Sequence, residues 1–335
     1  MIFPVFVLFT TCSILFIQSK RIHWRISITF FWMMLSLIAA FRSENMADIS
    51  NYLLFWEGWI GDMYEPGFVL MATFIKKLTT NFHVFLFASA ALSIGLKLFA
   101  ICRISPLIWG SLLIYISNIF ILHDMIQMRC AIASGLLLCA LYYVKEKRLK
   151  PFLLISFVAL LFHYSAIIIF PLWLLNKEKP QKVLFIGLII GAYLIRTTFS
   201  LGQSVQYIPI KEIQDRWILY SNSLDMEINI FNALQLSRVC LCIVLFWVVD
   251  KIYKKNDLAI LLCKIYALSI AALVLLSDFP VLAFRISEFY QTIEIVLLPM
   301  LIYAFGIHRL LGRITVILIG LCFLLLNVFY NKLLL

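Results

Sequence analysis

Long apolar runs separated by short polar turns make up almost the whole chain. Ten of them, at about 2–17, 26–41, 82–102, 106–122, 129–144, 183–199, 231–249, 258–276, 291–307 and 314–330, read as membrane-crossing helices, for which about 20 apolar residues at 1.5 Å each suffice. They are too uniformly apolar for barrel strands, which alternate between lipid and lumen. Only a helix satisfies its own backbone within one segment in lipid. The pattern predicts an all-α, polytopic integral membrane protein with about ten full transmembrane helices, forming a single transmembrane domain over 1–335 with outer loops at 42–66 and 200–230. Two segments, 67–80 and 151–175, fit poorly as full spans and read as re-entrant or half-helix segments.

The 151–175 run is long enough to cross once, yet KEKRLK precedes it and NKEKPQK follows it. Lysine and arginine collect on the cytoplasmic side of short loops, so both flanks belong inside. A hairpin that breaks near Phe162-His163-Tyr164 reconciles them and puts His163 at its tip. With 67–80 as the second half-helix, parity brings every basic turn inside: 18–25, 97–105, 145–150, 176–182, 250–257 and 308–313. Those turns hold 17 Lys/Arg against 4 Asp/Glu. The loops at 42–66, 123–128, 200–230 and 277–290 then lie outside. No basic leader precedes the first apolar run, which is read as a retained span with its amino terminus outside.

Composition sharpens the class. At 64% apolar and 13% charged residues, the chain has too few polar residues for a soluble shell. The formal charge of +11 sits mostly in the basic turns, so orientation accounts for it without a nucleic acid partner. All eight cysteines lie in or beside apolar runs and form no disulfide framework. Cys240 and Cys242, two apart on a helix, face different directions and make a poor metal pair; no metal or cofactor is expected.

Charge at membrane depth is costly and therefore informative. Arg129, His163, Arg196, Arg238, Arg285, Glu288 and Glu294 stand out, with Glu65 just ahead of Pro66-Gly67 at a short helix. Each has a structural reading: an interface anchor for Arg129 or Arg285, a hydrogen-bonded neutral ring for His163, a helix-start carboxylate for Glu65. Four arginines on the outer side, at 129, 196, 238 and 285, exceed what anchoring needs. Arginine grips phosphate oxygens with a planar fork of donors, so a lipid-linked diphosphate is the expected ligand.

Phe41-Arg42, Asp48 with Tyr52, Glu65-Pro66-Gly67-Phe68, Met128-Arg129, Phe162-His163-Tyr164-Ser165-Ala166 ahead of Pro171, and Arg285 ahead of Leu298-Pro299 together resemble the EpsG-type polysaccharide polymerases, which are similar to the Wzy class building O-antigen, capsule or exopolysaccharide. The resemblance covers about residues 40–300. One position departs: Cys130 follows Arg129, where the family usually carries glutamine, although Gln127 lies nearby.

The resemblance implies a nucleotide-sugar-independent glycosyltransferase in the cytoplasmic (inner) membrane, facing the periplasm or cell exterior. It would join repeat units carried on undecaprenyl diphosphate, with lipid-linked glycan as donor and acceptor, membrane lipid around it and a chain-length regulator as a possible partner. Arg129 and Arg285 would meet charge on the departing diphosphate, with Arg196 and Arg238 behind them. His163 is the favoured base over Glu65 or Asp48. Arg42, Asp48, Tyr52, Tyr64 and Glu288 are expected substrate contacts. A lipid-linked oligosaccharide flippase, an outer-face glycan ligase and an acyltransferase using His163 are the competing classes.

Overall fold

The computed structural model describes residues 2–18, 24–43, 46, 48–58, 64–175, 177–199 and 228–334, with no strand among them. Such a chain divides into two compact units, Met1–Trp173 with Glu294–Leu335, and Leu174–Ile293.

The first unit opens with α1 (Ile2–Gln18), α2 (Trp24–Ala40), α3 (Ile49–Glu57), α4 (Pro66–Leu78) and α5 (Phe82–Ile104). Next come α6 (Ile108–Ile114), continuing as a π-helical stretch Tyr115–Asp124, then α7 (Met128–Lys145) and α8 (Leu149–Phe162), with a 3-10 helix Tyr164–Leu174 after it. The second unit holds α9 (Lys182–Thr198), α10 (Ala233–Tyr253), α11 (Ala259–Leu275) and α12 (Pro280–Gln291). The chain returns to the first unit as α13 (Glu294–Leu297), a 3-10 helix Leu298–Phe305, and α14 (Arg309–Leu325) with a π-helical end Leu326–Tyr330.

A helix apolar all round has no polar stripe to keep wet, so it belongs in the middle of a bundle. Accordingly α7 is buried without a break from Cys130 to Leu141, packed between α5 and α8. In the second unit α11 has the same place, packed against α9, α10 and α12.

Folding back at His163 is what the flanking charges predicted. Helix α8 ends at Phe162, His163 is extended at φ −158° and ψ 121°, and a 3-10 helix follows. Phe152, near the start of α8, meets Trp173, near the end of the 3-10 helix, at 5.2 Å between ring centroids. The end of the 3-10 helix therefore returns to the level at which α8 begins. The other short segment is also a half-length helix, α4, with Pro66 in its first turn.

Two expected loops contain helix. Within 42–66, α3 buries Tyr52, Phe55 and Trp56, and the Trp56 indole donates to the Thr80 carbonyl at 3.1 Å. Within 277–290, Pro280 opens α12, which buries Ala283, Ser287, Phe289 and Tyr290. Interspersed Arg285 and Glu288 lower the hydropathy of that stretch enough to look like a loop, although its apolar residues recur at helical spacing. The 123–128 turn is packed within its unit: His123, Asp124 and Met125 are buried.

Among the described residues, five helices are long and apolar enough to cross a bilayer: Phe82–Ile104, Met128–Lys145, Ala233–Tyr253, Pro280–Phe305 and Arg309–Tyr330. The runs at Ile2–Gln18, Arg25–Ala40, Ile108–Asp124, Leu149–Phe162, Tyr164–Leu174 and Ala259–Leu275 are shorter helices. The sequence-based count of about ten full spans therefore exceeds what helix length alone supports.

Candidate functional site

The four residues Glu65-Pro66-Gly67-Phe68 build one side of the site. Pro66 fixes the first turn of α4 and leaves Glu65 as the residue before it, extended at φ −64° and ψ 144°. Glu65 makes no capping bond to its own helix, so the carboxylate is free to turn inward. Gly67 lets α4 press against α8, because a Cβ there would stand 2.8 Å from the Leu161 carbonyl oxygen. That approach brings Glu65 to the hairpin tip two residues further on. Phe68 is fully buried among Tyr52, Phe55, Tyr64 and Phe85, which fixes the helix in place.

Around Glu65 three groups converge. Arg129 Nη1, at the start of α7, donates to Oε2 at 2.6 Å. His163 Nδ1 lies 3.1 Å from Oε1, and the Tyr164 backbone N–H reaches the same oxygen at 3.4 Å. The carboxylate is almost enclosed, at 4% side-chain exposure, while Arg129 keeps 24% of its side chain open. Burial alone would raise the Glu65 carboxyl; the His163 hydrogen bond and the Arg129 guanidinium outweigh it and hold the group down at about 2. It is therefore a carboxylate at any physiological pH.

Tyr64 and Tyr52 complete the wall. The Arg129 guanidinium lies 4.5 Å from the Tyr64 ring centroid, a cation–π contact, and the Tyr64 hydroxyl donates to the Asn51 carbonyl. Tyr52 is buried and engages Arg129, with burial pushing its hydroxyl up to about 12. Asp48 is exposed in front of α3, in the left-handed region at φ 65°. Arg42 is buried and donates Nη1 to the carbonyls of Asp124 at 3.0 Å and Met125 at 2.8 Å, at the end of the π-helical stretch. A cation suits the carbonyl end of a helix. Its Nε and Nη2 have no hydrogen-bond partner among the described residues.

The structure thus joins Glu65, Arg129, His163, Tyr52 and Tyr64. Arg196, Arg238, Arg285 and Glu288 belong to the second unit. There Arg196 is engaged by Asp278 at 2.5 Å and by the Ser277 hydroxyl at 2.6 Å. Arg238 is half-buried on α10, Arg285 is exposed on α12, and Glu288 is half-buried one turn on. Glu294, back in the first unit, is fully buried and accepts from Asn118 at 3.0 Å.

Sequence reasoning missed a second ionic cluster. Lys97, counted there as part of a basic turn, lies inside α5 with no exposed side-chain surface, and its ammonium donates to both oxygens of Asp124 at 2.8 Å. Ser93 and Tyr115 donate to the same carboxylate at 2.5 and 2.8 Å. Apolar neighbours on both sides of Lys97, in LSIGLKLFAI, were the available signal. Lys264, inside α11, is a similar case and donates to Gln181. Among the described residues, no three His, Cys, Asp or Glu side chains group closely enough to hold a metal ion.

No curated protein and no solved structure matches the chain. A family model does: it matches residues 25–334, and the chain belongs to the EpsG family, membrane proteins of the polysaccharide-polymerase type.

Proposed function

We propose that the protein joins undecaprenyl-diphosphate-linked oligosaccharide repeat units on the outer face of the cytoplasmic membrane, with His163 and Arg129 as its catalytic residues and Glu65 positioning both. The observation that carries this reading is the Glu65 carboxylate held between a guanidinium and an imidazole where the hairpin turns back.

Protonation follows from that geometry. An ionised carboxylate only accepts, so Nδ1 of His163 is the donor in the bond to Glu65. In the neutral ring the lone pair then resides on Nε2, the nitrogen not engaged with Glu65. Nε2 takes the proton of the acceptor sugar hydroxyl as that oxygen attacks the anomeric carbon of the donor. The bond from that carbon to the diphosphate oxygen breaks, and the electron pair leaves with the lipid diphosphate. Arg129 meets the charge growing there. Glu65 stabilises the imidazolium once it forms and fixes the ring's orientation, as a carboxylate behind a histidine does in hydrolases. Tyr64, half-buried, offers aromatic surface for a sugar ring beside the guanidinium, with the buried Tyr52 ring packed behind it.

The reaction needs no nucleotide, because the anomeric diphosphate is already a leaving group. Purified protein in vesicles with a lipid-linked repeat unit tests the proposal through the length of the glycans produced. Arg129→Ala and His163→Ala are expected to slow elongation by about 100-fold or more. Full-length chains from both variants at wild-type rates would overturn it. Arg285→Ala in the same assay tests the other arginine that the sequence put forward for the departing diphosphate, with a smaller loss expected.

A further inference from the structure

We propose that the first unit also binds one anionic phospholipid, in a cavity between α2 and α5 at the opposite end of that helix pair from the Ala40–His83 contact. The cavity has a volume of about 660 Å³, within the range of about 300–1,000 Å³ usual for small-molecule sites.

Its chemistry is divided as an amphiphile requires. Arg25 on α2 and Arg103 on α5 supply two guanidinium groups, and among the described residues no carboxylate lines the cavity. Ile28, Trp32, Leu98 and Phe99 supply apolar wall. Trp32 is fixed across α5 by a bond from its indole nitrogen to the Ala91 carbonyl at 2.8 Å. Gly95 eases that placement, since a Cβ there would stand 3.3 Å from the same nitrogen. Arg103 is held over the rings of Phe99, at 5.4 Å, and Tyr142, at 5.9 Å. Aromatic faces orient a guanidinium without neutralising it.

Position agrees with chemistry. At the far end of the pair, His83 Nδ1 lies 3.0 Å from the Ala40 carbonyl. From His83 to Arg103 along α5 is about 30 Å at 1.5 Å per residue, the thickness of the hydrocarbon core. The two arginines therefore sit at one lipid headgroup level when His83 is at the other. A phosphate there accepts from both guanidinium forks while an acyl chain lies along the Trp32 wall. A zwitterionic headgroup would bring an ammonium toward the same two cations, which disfavours it.

The test uses the full chain, purified in detergent, with phosphatidylglycerol and phosphatidylcholine as probes and bound lipid counted by native mass spectrometry. Wild type is expected to retain phosphatidylglycerol in preference to phosphatidylcholine. Arg25→Gln with Arg103→Gln is expected to weaken that retention about 25-fold, each basic residue at a headgroup counting for about fivefold. Thr29→Trp, which fills the cavity and leaves both charges, is expected to weaken it comparably. Lys254→Gln with Lys255→Gln, in a different basic turn, is expected to leave it unchanged. Equal retention of the two lipids, an unaffected Thr29→Trp protein, or an equal loss in the Lys254/Lys255 control would each overturn the site in favour of general surface attraction.

Discussion

Two ion pairs in the first unit use the same chemistry to different ends. Lys97 and Asp124 have no exposed side-chain surface, and the carboxylate receives Ser93, Tyr115 and both contacts from the lysine. Glu65 and Arg129 share a carboxylate with His163, and Arg129 stays partly open. A sealed, saturated pair has nothing left to offer a substrate, so its part is to order the chain. An open pair with a titratable ring beside it can move a proton and meet a charge. The two are connected through backbone: Arg42 holds the carbonyls of Asp124 and Met125, a few residues before Arg129. The sealed cluster thereby steadies the turn that presents the open one.

Breaking the sealed pair is expected to have the largest effect on stability. Lys97→Met leaves a carboxylate buried without its cation and should cost about 3–5 kcal/mol, read as loss of folded protein in a denaturant titration in micelles. Replacing both members, Lys97→Met with Asp124→Leu, should recover much of that loss. If Lys97→Met were as stable as the wild type, the distinction between the two pairs would collapse.

A smaller change tests how the open pair is assembled. Gly67→Ala puts a methyl 2.8 Å from the Leu161 backbone oxygen, so α4 must shift away from α8. The expected cost is about 1–3 kcal/mol, with elongation falling further than stability because Glu65 moves off His163. Equal activity and stability to wild type would show that the close approach does not matter.

Acid should separate the pairs most gently. The Glu65 carboxyl sits at about 2, below its ordinary 4.5. A depressed carboxyl contributes stability that is present above its unfolded value and lost as pH falls through its folded one. The difference in melting temperature between wild type and Glu65→Gln should therefore be full above about 4.5 and shrink toward about 2. A constant difference across that window would remove the charge from the account of Glu65.

Much of the architecture was legible along the chain. Basic flanks on both sides of 151–175 implied a break at His163, and the Phe152–Trp173 contact shows the chain folding back there. Glu65 could be picked out because proline and glycine after it mark a helix start pressed against a neighbour. Lys97 escaped notice because a lysine close to a basic turn reads as part of it, and only the position of Asp124 reveals it as buried. Residues 277–290 read as a loop in the sequence because Arg285 and Glu288 mask the apolar face of α12. The outer loop expected at 200–230 falls largely outside the described residues.

The residue pattern by itself determined a helical membrane protein, the two half-length segments and a family resemblance, because hydropathy and charge bias act locally on each segment. Tertiary structure decided which charges meet. Glu65 finds Arg129 across 64 residues and His163 across 98, while Asp124 takes Lys97 across 27. In a medium of low dielectric an unpaired ion is too costly to keep, so each charge's partner, and with it the choice between order and chemistry, was settled by how the helices pack.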